Sequence, residues 1–234
     1  MSPRIVAATG ALVIALLVPA GAEAAVIEPL KPCYVTADTP SGPEQEGVAI
    51  RATGFTANSK VDLVIDGQMP PGGDDLQTDA SGSIMLPPET VPAPFIPSGS
   101  KQFTITLTQT DNLANTASAT ALTTALGVDV EPRRARPSQR IRFEGSGFTG
   151  AKPVYAHYVY KNTLRKTVRM ARKTTACGGW TAHRPQIPVR DAKAGTWIVQ
   201  FDQSKRYRDA RRPDSGLKSV FVLIKISVTL VPRN

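Results

Sequence analysis

The chain has 234 residues, enough for two domains each with its own core. Aromatic content is only 6%, and 18 Gly and 20 Pro are spread along the chain, which excludes an architecture of long helices and favours short strands joined by turns. The net charge of +9 is the sum of two unlike halves. Four basic residues against eleven acidic ones give −7 from Val26 to Leu126, and 23 against seven give +16 from Gly127 to Asn234. Such asymmetry bears on partners rather than on fold.

Residues 1–25 read as a cleavable signal peptide. Arg4 supplies a positive n-region, Ala11 to Ala20 an apolar h-region, and Ala22-Glu23-Ala24 the small residues read by a signal peptidase. The apolar run is shorter than the roughly 20 residues a spanning helix needs. The expected location is therefore the cell envelope or the medium.

The remainder repeats itself weakly. Val48-Ala-Ile-Arg-Ala-Thr-Gly54-Phe55-Thr56 corresponds to Ile141-Arg-Phe-Glu-Gly-Ser-Gly147-Phe148-Thr149, each an alternating strand running into a Gly-Phe corner. Thr78-Asp-Ala-Ser81-Gly82 then corresponds to Thr174-Thr-Ala-Cys177-Gly178, and Phe103 to Leu107 corresponds to Trp197 to Phe201. Three landmarks in order at a near-constant spacing indicate a duplicated unit of about 100 residues, the usual size of an immunoglobulin-like β-sandwich. The domains are expected at 26–126 and 127–234, the first acidic and the second basic.

In the first unit, Val61–Ile65 runs into an Asp66-Gly67 turn. In the second, seven strands are predicted near Val128–Glu131, Arg140–Glu144, Pro153–Tyr160, Leu164–Arg172, Gly179–Arg184, Thr196–Phe201 and Lys218–Val228. A tight hairpin is expected at Lys161-Asn162, and Ile141, Phe143, Trp197, Val199 and Phe201 should point inward.

The Gly-Phe-Thr corner, the strand ending in Asp-Gly and the Asp79-Ala80-Ser81-Gly82-Ser83 turn resemble the tandem bacterial immunoglobulin-like (IPT/Big-type) repeats of exported proteins. The resemblance implies fold, not function, because such domains serve as spacers, adhesins and accessory modules alike. It carries over no catalytic residues. In the second copy Cys177 replaces the Ser81 of the first, and basic residues crowd the strands.

Two cysteines, Cys33 and Cys177, fall one in each unit. If strands alternate direction, the turn holding Cys177 lies at the junction-side pole of the second unit, and the first strand of the first unit runs toward that pole. Export permits a disulfide between them, and two separately buried thiols are the competing arrangement.

Two basic clusters stand out as an anion-binding candidate. On the strand from Leu164, alternation puts Arg165, Arg169 and Lys173 on one face. The segment Asp202–Lys218 carries Lys205, Arg206, Tyr207, Arg208, Arg211 and Arg212 and reads as an exposed loop, where recognition usually sits. Arginine gives bidentate contacts to carboxylate or phosphate, and Tyr207 a stacking face. The partner implied is an anionic cell-envelope polymer or an acidic polysaccharide. Nucleic acid is disfavoured, since the aromatic signature of RNA-binding motifs is absent. Two other readings explain the same charge: neutralisation of the acidic unit by the basic one, or a solvated face that keeps the protein soluble.

Asp66, Asp74, Asp75 and Asp79 surround the Pro/Gly-rich turn Met69–Gly73, but they lack the regular alternation of a calcium loop, and turn chemistry explains them better. The only histidines are His157 and His183. His157, in the strand Val154-Tyr155-Ala156-His157-Tyr158, reads as a packed strand residue rather than a general base. No hydrolase, metalloprotease or phosphate-loop motif is present, so no cofactor, metal or catalytic residue is assigned. The expectation is a non-enzymatic binding or structural protein. The alternative is an exported hydrolase on a sandwich scaffold, with a carboxylate pair that sequence cannot locate.

Overall fold

The computed structural model describes residues 24–39, 42–211 and 218–227. It is all-β among these residues and forms two tandem immunoglobulin-like sandwiches. The expected signal peptide up to residue 23, Arg212, and Val228 at the end of the final predicted strand lie outside the described residues.

The first sandwich is built from β1 (Val26–Ile27), β2 (Cys33–Thr39), β3 (Gly42–Gln45), β4 (Ile50–Thr53), β5 (Lys60–Ile65), β6 (Leu76–Gln77), β7 (Ile84–Leu86), β8 (Ser100–Gln109) and β9 (Asn112–Ala125). A three-stranded sheet, β1-β4-β7, packs on a six-stranded one, β3-β2-β9-β8-β5-β6. Ile50, Ala52, Ile84 and Leu86 of the small sheet meet Val61, Leu63, Phe103, Ile105 and Leu107 of the large one in a single core. Alternation along β4 and β8 puts every second side chain there, as an antiparallel sandwich requires. β2 differs. It pairs parallel to β9, so the first segment of the chain crosses from one sheet to the other between Ile27 and Cys33.

The second sandwich comprises β10 (Gly127–Glu131), β11 (Arg140–Ser146), β12 (Val154–Tyr160), β13 (Thr163–Ala171), β14 (Trp180–Pro185), β15 (Gly195–Asp202) and β16 (Val220–Ile226). The sheet β10-β11-β14 faces the sheet β13-β12-β15-β16. All seven predicted strands form, and Ile141, Phe143, Trp197, Val199 and Phe201 are all at most 2% exposed. The hairpin between β12 and β13 turns at Lys161 and Asn162, both at positive φ, and Asp66-Gly67 does the same after β5. Gly145 has no substitute, since a Cβ there would lie 2.3 Å from the Trp180 ring.

The internal repeat is a repeated hydrogen-bond pattern. Phe55 N donates to Gly82 O, and Phe148 N donates to Gly178 O. The threonine contacts are shifted by one residue: Thr78 Oγ1 donates to Thr56 O at 2.7 Å, whereas Thr174 Oγ1 donates to Phe148 O, the counterpart of Phe55 O, at 2.8 Å. Gly82 and Gly178 both have positive φ, and a Cβ on either would stand about 2 Å from the backbone of the adjoining Phe corner.

The junction is short. β9 ends at Ala125 and β10 begins at Gly127. Leu126 N donates to Thr36 O at 2.7 Å, while the Leu126 side chain packs on the second core. Ser146 Oγ donates to Ala125 O at 2.7 Å. Cys33, at the start of β2, is bonded to Cys177, in the turn before β14, with Cα atoms 5.2 Å apart across 144 residues of sequence. Gly147 N donates to Cys177 O, which fixes that turn at the junction-side pole. The two-thiol arrangement is therefore set aside.

Candidate functional site

Alternation along β12 and β15 produces two very different faces. Ala156, Tyr158 and Tyr160, with Trp197, Val199 and Phe201, point into the core. Tyr155, His157 and Val159, with Ile198, Gln200 and Asp202, point outward. Yet His157, Gln200 and Asp202 are no more than 1% exposed. What covers them is the segment after β15, which folds back over the outer face of its own sheet.

Polar side chains hold that segment in place. Asp202 Oδ1 accepts from Ser204 N at 2.7 Å, and Gln200 Nε2 donates to Asp202 Oδ2 at 2.6 Å and to the Arg208 carbonyl at 2.8 Å. Gln200 Oε1 accepts from Ala210 N at 3.2 Å. His157 Nε2 lies 3.0 Å from the Ser204 carbonyl and 3.3 Å from Asp202 Oδ1, and its Nδ1 lies 2.9 Å from Thr167 Oγ1. Both groups facing Nε2 can only accept, so Nε2 carries a proton. In the neutral ring Nδ1 is then bare, and the Thr167 hydroxyl donates to it. His157 is thus the packed, hydrogen-bonded strand residue its pattern predicts.

Each expected site residue can now be placed. Arg169, opposite Tyr155 on β13, and Lys205, in the folded-back segment, meet across a shallow cavity of about 330 Å³ that Tyr155 and Thr167 also line. Arg165 does not join them. β13 bulges beside it, and its guanidinium stands 6.0 Å from the centroid of the Tyr160 ring, a residue of the inner face. A second bulge falls at Met170, so the period of two that would align Lys173 with Arg169 is lost, and Lys173 lies beyond the strand end.

Arg206 and Arg208 are exposed. Arg211 is engaged by Asp209 through Nε at 2.8 Å and Nη2 at 2.7 Å, contacts that raise its pKa. Tyr207 is half-buried, its ring centroid 5.5 Å from that of His157, so it clamps the segment instead of presenting a stacking face to solvent. Over its described part, up to Arg211, the expected exposed loop is therefore a docked segment with an exposed basic rim. Tyr155 supplies the aromatic wall instead. Sequence reading missed that role, although alternation opposite Arg169 was a usable signal.

In the second half the ion pairs among the described residues join Arg142 to Glu131 and Glu144, Arg190 to Asp191, and Arg211 to Asp209, beside the buried His157–Asp202 contact. Arg169 and Lys205 belong to none of them. A cavity of about 380 Å³ on the first sandwich carries mixed charge: its Lys31 is paired with Glu46, and Glu28 lines it together with Arg51. The acidic residues of the first sandwich serve its turns and strands. Asp66 accepts from Thr104 N, Asp75 pairs with Lys60, and Asp79 accepts from Ser81 and Ser83. Those bonds, with the Ser81 hydroxyl the strongest, hold the Asp79 pKa below its usual value.

The sheet topology defines a protein of tandem immunoglobulin-like sandwiches with a basic cavity on the outer face of the second. No family model matches the chain, and no curated protein matches it in sequence. Among solved structures it is similar to a tetra-tandem repeat from the extending region of a large adhesion protein (14% identity, 88% of this chain and 50% of that one, TM-score 0.30). It is also similar to a putative membrane-anchored protein of Corynebacterium diphtheriae (12% identity, 88% and 57%, TM-score 0.32). A third is the Down syndrome cell adhesion molecule, at 12% identity with a TM-score of 0.29, covering 87% of this chain and 27% of that one. The chain thus spans about half or less of these structures' length.

Proposed function

We propose that this chain is an exported, non-enzymatic binding or structural protein of the cell envelope, and that its second domain engages an anionic polymer. In this reading residues 1–25 are removed, and 26–126 and 127–234 are two domains of the bacterial immunoglobulin-like repeat type. The observation that carries the binding claim is the pair Arg169 and Lys205, two exposed cations without acidic partners among the described residues, on one cavity of a half that bears +16. Unpaired cations keep their whole attraction for a ligand, whereas paired ones must first lose a partner.

A disulfide between the domains accords with an oxidising compartment. The carboxylate nearest the cavity network, Asp202, is fully buried and already accepts from Ser204 and Gln200, which suits a structural anchor better than a general acid. The test is retention of the mature protein on fractionated envelope polymers at low and high salt. Capture by an anionic fraction that high salt releases supports the reading; capture only by neutral fractions refutes it.

A further inference from the structure

Among the described residues the two larger sheets end in β3 and β6 in the first sandwich and in β13 and β16 in the second. An edge strand presents unpaired N–H and C=O groups, and native proteins blunt such edges with proline, charge, bulges or sheer shortness. β6 has two residues, β3 reads Gly-Pro-Glu-Gln, and β13 carries Arg165, Lys166 and Arg169 beside two bulges. β16 has none of these devices. Its seven residues, Val220-Phe-Val-Leu-Ile-Lys-Ile226, pair with β15 in one unbroken register, contain no Gly or Pro and carry the single charge of Lys225. Two of its outward side chains are large and apolar, Phe221 at 37% and Leu223 at 69% exposure. The chain's own duplication shows what such an edge takes. β9 lies beside β8 as β16 lies beside β15, and in the first sandwich the far edge of β9 is covered by β2, paired over Cys33–Thr36. Among the described residues of the second sandwich no strand stands at the corresponding edge of β16.

We infer that β16 is a dimerisation edge, pairing antiparallel with β16 of a second copy about a two-fold axis at Leu223 and joining the two sheets into one. The strand is self-complementary in that register. An axis perpendicular to the sheet keeps inward residues opposite inward ones, so Val220 meets Ile226 and Val222 meets Ile224 of the second copy. On the outer face Leu223 meets itself, flanked on both sides by Ile198 of β15, which covers the most exposed apolar side chain of the strand. Phe221 meets Lys225, an aromatic ring beside an ammonium, so the strand's one charge never faces its own like. Moving the axis to Val222 or Ile224 sets Lys225 against Ser219 or Leu223 and leaves fewer pairs. The pairing does not depend on the anionic-polymer reading, but it bears on it. The same axis puts both basic cavities on one face, roughly 30 Å apart at the usual strand spacing, where a single polymer chain spans the two.

Analytical ultracentrifugation of the mature protein up to about 100 µM measures the association. A reversible dimer is expected. Leu223→Lys should weaken it at least about tenfold by setting two ammonium groups directly opposite each other, while the melting temperature stays near that of the wild type because the side chain is exposed. Mild oxidation of introduced cysteines reads the register. Leu223→Cys should cross-link to itself, whereas Phe221→Cys should cross-link when mixed with Lys225→Cys and not alone. A wild-type protein that stays monomeric at about 100 µM overturns the inference, as does a dimer that Leu223→Lys leaves unchanged. Self-cross-linking of Phe221→Cys as efficient as that of Leu223→Cys also overturns it. None of these outcomes alters retention on an anionic polymer, so the two readings fail separately.

Discussion

Glu46 occupies an unusual position for a surface carboxylate. Burial alone would raise its pKa, but the Lys31 ammonium, the Val35 amide and the more distant charge of Lys218 outweigh it and hold the group below its usual value. A carboxylate depressed in the folded state gives stability that is fully present above its unfolded pKa and is lost as pH falls through the folded one. Thermal melts between neutral pH and about pH 3 should therefore show a steeper loss for the wild-type protein than for Glu46→Gln, the wild-type advantage at neutral pH shrinking below about pH 4.5. Parallel curves would mean that the Lys31 contact contributes nothing. None of this was visible in the sequence, because the three groups that set the charge state lie 11 residues or more away from Glu46.

The segment after β15 shows how an element acquires a position that composition alone does not predict. Its density of arginine reads as a free loop, yet Gln200, Asp202 and His157 tie its backbone to the outer sheet face. Removing the Asp202 carboxylate takes an acceptor from the buried Gln200 side-chain amide and from the part-buried Ser204 amide. Asp202→Ala is expected to cost about 2–3 kcal/mol in urea unfolding, the penalty for orphaned buried polar groups. It should also accelerate tryptic cleavage after Lys205, Arg206 and Arg208. Unchanged cleavage would contradict the docking described above.

Strands such as β4, β5 and β11 were legible because their buried positions fall at period two and the run meets Gly54, Asp66 or Gly147. The bulges in β13 were not, since a bulge leaves the local pattern intact and shows only against the partner strand. That is why Arg165 and Lys173 were grouped with Arg169. β2 also escaped notice. Cys33 to Thr36 are all buried, so the run carries no alternation to read.

At the scale of the whole molecule the disulfide ties the two sandwiches together at their junction. A bridge between Cys33 and Cys177 closes a loop of 144 residues, for which chain entropy gives at most about 5 kcal/mol. Non-reducing peptide mapping should recover one linked pair. Cys33→Ser/Cys177→Ser should unfold at lower denaturant concentration while keeping its β-sheet spectrum, because each sandwich retains its own core. Two alkylatable thiols in native, aerobically purified protein would remove the bridge from the account.

The central claim is that unpaired cations on the second domain carry the affinity. Exposed charges act through a field screened over about 8 Å at physiological ionic strength, so their effect must fade with salt. The most direct measurement is the salt dependence of polygalacturonate binding by the wild-type protein, by Arg169→Ser/Lys205→Ser and by Arg206→Ser/Arg208→Ser. The wild-type affinity is predicted to fall steadily as salt rises. The cavity variant should bind at least tenfold more weakly at low salt, by about 1.4 kcal/mol or more, with a shallower slope. The rim variant should show a smaller loss. Affinity independent of salt, or binding by the cavity variant equal to that of the wild-type protein, would contradict the claim and leave the basic face a solvated surface.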